Sequence, residues 1–494
     1  MKNMKKLPLI VLIGSLSACG GDYGGPGLSS TTGTGNVLLG HAELVNGNGT
    51  TASPGAPADS NQFLATAYED GLAEIQLSQL ALQRSTNGEV RKFAQRLLDQ
   101  HTTMNNAITQ LAQQKNIALP TTLPASLQAQ VTQLSALPAE QFDRAYTQLN
   151  VTAHETDIAA ARLQARQGTD EDVREFAKIS LPILKVHLAA AEEVHSLLDP
   201  AFFLAHAFQD GLAEIQISQL AVERASDPDV RQFAQRMIDR HTQANADIAS
   251  LAQQKNVSLP NAPTAEQQAA ASELAGFSGA DFDEAYMDLN VIAHVKDARL
   301  FRQQARRGID TDVRRLAADK APALIEHLIS ALEIDRSVEP SFLFRAYQDG
   351  EAEIAVSHLA LRKTENADVR AFAQRMIDEH RAANAQITQL AQQKNIALPS
   401  ELAPEHLLVF AEFSGMTAQE FDRAYMEANV RVHSKDAEEA TREAAEATDP
   451  DIRAYAQTAA TTLNAHLETA RALRDSVNAT AEPAQAAQPA APAQ

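Results

Sequence analysis

Four polar residues recur three times in this chain, in one order and one spacing. Glu74, His101, His154 and His187 return as Glu214, His241, His294 and His327, and again as Glu353, His380, His433 and His466. Each member moves by 140 residues from the first copy to the second and by 139 from the second to the third. His154, His294 and His433 each open a His-x-x-Asp step to Asp157, Asp297 and Asp436. Three imidazoles with one or two carboxylates form a ligand set for a transition metal. Neutral imidazole suits Fe, Mn, Zn or Cu, and a carboxylate adds charge and hardness. The same residues could instead form a polar core network in which the glutamate accepts hydrogen bonds from histidines. Either way a buried carboxylate must find donors or a cation, or take up a proton.

These residues act together only if the chain brings them to one place. The stretch around His241, VRQFAQRMIDRHTQANADIASLAQQKNVSLP, puts Val230, Phe233, Ala234, Met237, Ile248, Leu251 and Ala252 at helical spacing. His241 falls on that stripe, and the same pattern starts at Val90 and Val369. In the first copy the spacing predicts helix A over 60–84, helix B over 88–116, helix C over 139–167 and helix D over 170–198. The A–B and C–D links are short, so each pair is an antiparallel hairpin. The B–C link, 117–138, is long and holds three prolines and an amphipathic piece. Two hairpins joined by one long crossover make a ferritin-like bundle. The expected fold is therefore all-α, with three tandem ferritin-like four-helix bundles over 60–198, 199–338 and 339–478. Asp199-Pro200 and Glu339-Pro340 supply a cap and a first-turn proline for the next helix A.

Glu74, His101, His154 and His187 each lie near the midpoint of their helix, so they should converge at one height, with Asp157 about one turn away. Di-metal sites in such bundles use Glu-x-x-His on two helices. Here the residues three before His101 and His187 are Leu98 and Leu184, and they stay apolar in the other copies. One metal per bundle fits better than two. Other repeated residues have structural readings. Asp99 should pair with Arg96 or a neighbouring helix, and Arg91 and Arg96 should hold the A–B corner. Asp70, one turn before Glu74, could support the ligand set, and Asn105, one turn from His101, could orient that ring. Tyr146 reads as a core aromatic with its hydroxyl satisfied. His41, His195, His206, His358 and His406 lack triplicate partners and read as surface or packing residues.

The N-terminus carries Lys2, Lys5 and Lys6, then an apolar run from Leu7 to Leu16. This is a secretory pattern, too short to span a bilayer as a helix. Leu16-Ser17-Ala18-Cys19 resembles a bacterial lipobox, which implies a signal peptide over 1–18, cleavage and lipidation at Cys19. Gly20 in place of aspartate favours the periplasmic face of the outer membrane. Residues 19–59 read as a flexible Gly/Ser/Thr-rich tether and 479–494 as a disordered Ala/Pro-rich tail. Cys19 is the single cysteine, so no intrachain disulfide forms. A net charge of -21 argues against a nucleic-acid partner.

The strings F-A-Q-R-M-I-D-x-H, L-A-Q-Q-K-N-I-x-L-P and F-D-x-A-Y, with the later H-x-x-D and H-L, are similar to the domain-of-unknown-function 4142 family of bacterial envelope proteins. The resemblance covers Ser60 to about Ser476. It implies a ferritin-like four-helix fold, with a secretion or lipoprotein signal, and supplies no activity. Three copies in tandem depart from the single domain expected of the family. The third copy also has Thr461 where the others have Pro182 and Pro322. The expected protein is a lipid-anchored envelope protein whose bundles each bind a transition metal, for metal buffering or oxidative-stress protection. A non-catalytic scaffold with structural histidines, and a redox enzyme with one metal per domain, remain as alternatives; the reading leans away from an enzyme.

Overall fold

A computed structural model describes residues 58–481, save 336, 339, 340, 401 and 415. The signal segment, Cys19, His41, nearly all of the tether, the Glu339-Pro340 junction and the end of the tail lie outside the described residues. By compactness the chain divides into one unit of residues 1–203 with 307–311 and another of 204–306 with 312–494. The first copy supplies α1 (Ser60–Arg84), α2 (Gly88–Lys115), α3 (Ala125–Ala136), α4 (Ala139–Gln167) and α5 (Glu171–Leu198). The second supplies α6 (Pro200–Arg224), α7 (Pro228–Gln254), α8 (Ala265–Leu274), α9 (Gly279–Arg307) and α10 (Thr311–Asp335). The third supplies α11 (Phe342–Lys363), α12 (Ala367–Lys394), α13 (Pro404–Ser414), α14 (Ala418–Glu446) and α15 (Pro450–Ala481). The fold is all-α, and the three tandem domains are helical bundles.

Side chains at the helix ends fix the topology. Arg84, at the end of α1, donates to the carbonyls of Leu134 (3.1 Å) and Ser135 (2.7 Å), just before α4 begins. Lys115, at the end of α2, reaches Asp170 and Asp172 at the start of α5, both at 2.7 Å. The first and third helices of the bundle are therefore antiparallel, as are the second and fourth. The crossover must travel the bundle's length, and α3 packs against α1 on the way. The pattern repeats with Arg224 on the Phe277 carbonyl (2.8 Å) and Lys255 on Asp312 (3.2 Å). It repeats again with Lys363 on the Met416 carbonyl (2.7 Å) and Lys394 on Asp449 (2.6 Å). Such partly exposed ion pairs contribute little energy; they mark register.

The repeated string K-N-I/V is a helix stop. Asn116, Asn256 and Asn395 take the left-handed conformation at φ 56°, 55° and 55°. The next amide, of Ile117, Val257 or Ile396, donates back to the carbonyl of Ala112, Ala252 or Ala391 at 2.8–2.9 Å. Asparagine tolerates this geometry better than most residues, and the back-bond satisfies a carbonyl that the helix leaves open. At the other ends, Asn87, Asp170 and Asp199 cap α2, α5 and α6 by accepting backbone amides. Within the second unit, Asp281 of α9 accepts from the amide (2.6 Å) and hydroxyl (3.0 Å) of Ser341, which caps α11. Phe277 and Phe344 meet there edge to face at 5.5 Å.

Glycine is required where helices A and B approach. A Cβ on Gly71, Gly211 or Gly350 would stand 2.2, 2.3 or 2.4 Å from the amide oxygen of Asn105, Asn245 or Asn384. That same asparagine donates to the carbonyl of Tyr68, Phe208 or Tyr347 at 3.1–3.3 Å. It clamps helix A onto helix B and does not bond the neighbouring imidazole, so its role differs from the expected one. Gly211→Ala should destabilise the protein by about 1–3 kcal/mol, the usual cost of overpacking. The double variant Gly211→Ala/Asn245→Ala should cost less than the two single changes summed. Additive losses in urea unfolding would show that Asn245 is not what excludes the methyl group.

Candidate metal centre

Each bundle gathers one histidine from its helix B, C and D. His101, His154 and His187 each offer a ring nitrogen within 4.8 Å of the others, as do His241, His294 and His327, and His380, His433 and His466. Eight of these nine rings are buried and His327 is partly so. In the first bundle the ring centroids are 5.6 Å (101–154), 5.0 Å (101–187) and 5.1 Å (154–187) apart.

Helix C aims its histidine through a column of polar residues one turn apart. The hydroxyl of Tyr146 meets Ser78 Oγ at 3.1 Å, and Asn150 donates to the Tyr146 carbonyl at 2.8 Å. The Asn150 carbonyl in turn lies 2.8 Å from His154 Nδ1. The second bundle repeats the column with Ser218, Tyr286, Asn290 and His294, the third with Ser357, Tyr425, Asn429 and His433. A carbonyl only accepts, so Nδ1 of the helix-C ring carries the proton. Its Nε2 is then a bare lone pair.

Helix D aims the opposite nitrogen at it. His466 Nε2 lies 2.6 Å from Glu379 Oε2, and burial with His433 nearby holds this imidazole down at about 4, so it is neutral. The ionised carboxylate of Glu379 takes the ring's N–H, which leaves Nδ1 bare. That Nδ1 faces His433 Nε2 at 3.2 Å. The first bundle has the same pair, His187 Nδ1 and His154 Nε2, also at 3.2 Å, with Gln100 bonding His187 Nε2. In the second bundle the equivalent atoms, His294 Nε2 and His327 Nδ1, are buried without a hydrogen-bond partner. Burial drives His154 below the usual imidazole range, His187 well below it, His433 to about 4 and His327 to about 3. In the first and third bundles two lone pairs of neutral rings thus face one another, an arrangement that could hold a Lewis acid.

The glutamates divide. Glu74 Oε2 pairs with His101 Nε2, and its Oε1 lies 3.4 Å from His154 Nδ1. Glu214 Oε2 lies 3.0 Å from His241 Nε2 and 3.5 Å from His294 Nε2. Burial alone would raise both carboxyls, and the imidazoles beside them bring them below the usual range. Among the described residues Glu353 makes no such ion pair; burial, then Asp349, pushes it up to about 8. Asp157, Asp297 and Asp436 lie outside the imidazole groups. Asp157 neighbours Asp70 and Glu74, and burial first, then Asp70, pushes it well above the carboxylate range. Asp436 is raised in the same way by burial and Asp349.

Several unrepeated residues matter here. His206 (3.3 Å) and Lys296 (3.4 Å) flank Asp210, and His406 (3.0 Å) and Lys435 (3.3 Å) flank Asp349. Thr156 takes the register of Lys296 and Lys435 in the first copy. His195 is buried, with Nδ1 2.8 Å from Thr147 Oγ1. Gln100, Arg240 and Glu379 share one position beside the helix-D ring. Because these residues do not repeat, triplication could not flag them. Asp99 accepts from Gln95 at 2.8 Å, one turn away on the same helix. Arg91 does hold the A–B corner, by donating to the Leu82 and Ser85 carbonyls.

The family described as Domain of unknown function (DUF4142) matches residues 46–194, 197–334 and 336–473. No curated protein and no solved structure matches the chain.

In metal-free protein labelled with ¹⁵N, His154, His294 and His433 should each be the Nδ1–H tautomer, read from ring-nitrogen shifts at neutral pH. An Nε2–H tautomer at these rings would remove the facing lone pairs.

Proposed function

We propose that this chain, which belongs to the DUF4142 family, binds one transition-metal ion in each bundle at its three imidazoles. The observation that carries the reading is the third bundle's pair of bare nitrogens, His433 Nε2 and His466 Nδ1, 3.2 Å apart. Two nitrogens at about 2.05 Å from a tetrahedral ion lie about 3.3 Å from each other. His380 adds the third ring, with its centroid 5.4 Å from that of His466. Its Nε2 is buried and accepts or donates no hydrogen bond. In the first two bundles Glu74 and Glu214 supply negative charge beside the rings; such partners hold a ligating histidine in place and raise its basicity.

A buried ligand set suits holding an ion more than turning over a substrate. We therefore read the protein as a metal buffer, or a guard against oxidative damage, and not as an enzyme. Anchoring by lipid at Cys19 in the bacterial envelope, on the periplasmic face of the outer membrane, completes this reading. The donor set admits Zn, Fe, Mn or Cu. One observation favours the structural alternative in the second bundle. There Glu214 and His241 can satisfy one another as an ion pair once His241 is protonated, and its pKa is raised by Glu214 against the opposing effect of burial.

Untagged protein dialysed against Zn²⁺ and then against buffer should retain about one ion per imidazole group by elemental analysis. His433→Ala should lower the content by about one ion per chain, and His154→Ala should do the same independently. Unchanged content in His433→Ala, with helicity preserved, would remove the third bundle as a site. A chain that retains no metal at all would leave the histidines as core-packing residues.

A further inference from the structure

The third bundle holds a cavity of about 320 Å³ between α11, α12, α14 and α15. It runs along α15 from Tyr455 to His466, eleven residues or roughly 16 Å of helix. Its outer end is walled by Phe342 and Tyr455, whose rings lie 6.1 Å apart, and its inner end by His380 and His466.

The sequence explains why space opens in this copy. Ala383 and Thr462 line the cavity, where the first copy carries Met104 and Ile183 in the same register. Thr458 stands where the first copy has Ile179. In the second copy Lys320 pairs with Asp247 between the fourth helix and the second. The third copy replaces that pair with Ala459 and Gln386, which both face the cavity. Against the first copy, three positions facing the cavity carry smaller or more polar side chains, Ala383, Thr458 and Thr462; against the second, the ion pair that bridged the space is gone, and an unfilled core volume is destabilising.

The charges say what would enter. Asp349, Glu379, Asp436 and Glu439 line the space against a single guanidinium, Arg345. Arg345 is committed to Glu439 at 3.0 Å, and Glu379 to Arg375 at 2.8 Å. One ammonium, Lys435, serves two carboxylates, Asp349 at 3.3 Å and Asp436 at 3.8 Å. Asp436 Oδ1 is buried and accepts no hydrogen bond. The rest of the wall is small and apolar: Ala346, Ala382, Ala383, Ala459 and Leu463.

We propose that this cavity is a binding site for a small organic cation, a protonated amine on an aliphatic body, with its head on Asp436 and its body against the alanine and leucine wall. An anion of the same shape would meet three carboxylates near that head and is excluded. The site belongs to the third bundle and does not depend on a metal ion being bound.

The test uses the full chain freed of metal with a chelator, and three probes of one shape: hexylamine, 1-hexanol and hexanoate. In calorimetric titration hexylamine should bind saturably at one molecule per chain, 1-hexanol more weakly and hexanoate not at all. Ala383→Met/Thr462→Ile restores the first copy's residues and should weaken hexylamine by about tenfold or more, with helical circular dichroism unchanged. Asp436→Asn keeps the shape and should also weaken it by about tenfold, because an amide cannot take on the negative charge that an ammonium beside a carboxyl favours. Absence of saturable hexylamine binding, binding of hexanoate as tight as the amine, or undiminished binding in both variants overturns the proposal. None of these outcomes bears on whether the histidines hold metal.

Discussion

An imidazole whose only N–H is already bonded presents a lone pair, and an apolar core offers nothing to satisfy it. That constraint shapes the centre of each bundle. Asn150 and its counterparts take the Nδ1 proton of the helix-C histidine, and Gln100 or Glu379 bonds the Nε2 of the helix-D ring. Leaving a buried polar atom unpaired costs on the order of 1–3 kcal/mol. The first and third bundles, which share this arrangement, keep it against that cost. The surrounding devices hold the rings still. Tyr146 is tied to Ser78 across helices, and Asn105 seats on Gly71 so that helices A and B lie close.

Around this constant centre the copies differ. Beside the helix-D ring stand Gln100, Arg240 and Glu379 in turn. His327, whose pKa is lowered chiefly by burial and also by Arg240 among its neighbours, falls to about 3, whereas Glu379 partly opposes the burial of His466 at about 4. The carboxylates one turn away also vary in company. Asp210 and Asp349 each have a histidine and a lysine, while burial, then Glu74, pushes Asp70 up to about 7. Equal imidazole groups in unequal electrostatic surroundings make three related clusters and not three identical ones. In the third a cavity opens beside the rings, where Ala383 and Thr462 stand in place of the first copy's Met104 and Ile183 and Ala459 in place of the second copy's Lys320. The loss of the helix-D proline belongs to the same copy: α15 runs unbroken for 32 residues, with Thr461 bonding back to the Gln457 carbonyl.

Much of the architecture was legible beforehand because it rests on local rules. Apolar spacing and caps gave the first copy's helices to within a residue, and the long proline-bearing link between B and C implied the crossover. The convergence of His101, His154 and His187 followed from their positions at helix midpoints. What did not follow concerned which way a side chain leans. Asp157 shares a helix face with His154 but lies outside the imidazole group, its carboxyl raised by burial and then by Asp70 and Glu74. Glu353 sits in the register of Glu74 and Glu214 yet makes no imidazole pair among the described residues. His195, His206 and His406 looked like isolated histidines, and each has a specific polar neighbour in the fold.

The sequence alone determined the helices, their order and the height at which the polar residues meet, because rise per residue and apolar period are properties of a single helix. Tertiary structure decided which ring nitrogen faces which, where the carboxylates point and where space remains. Those depend on how each helix is rotated against its neighbours and on the rotamers that packing allows. Neither quantity is encoded by spacing along one chain segment.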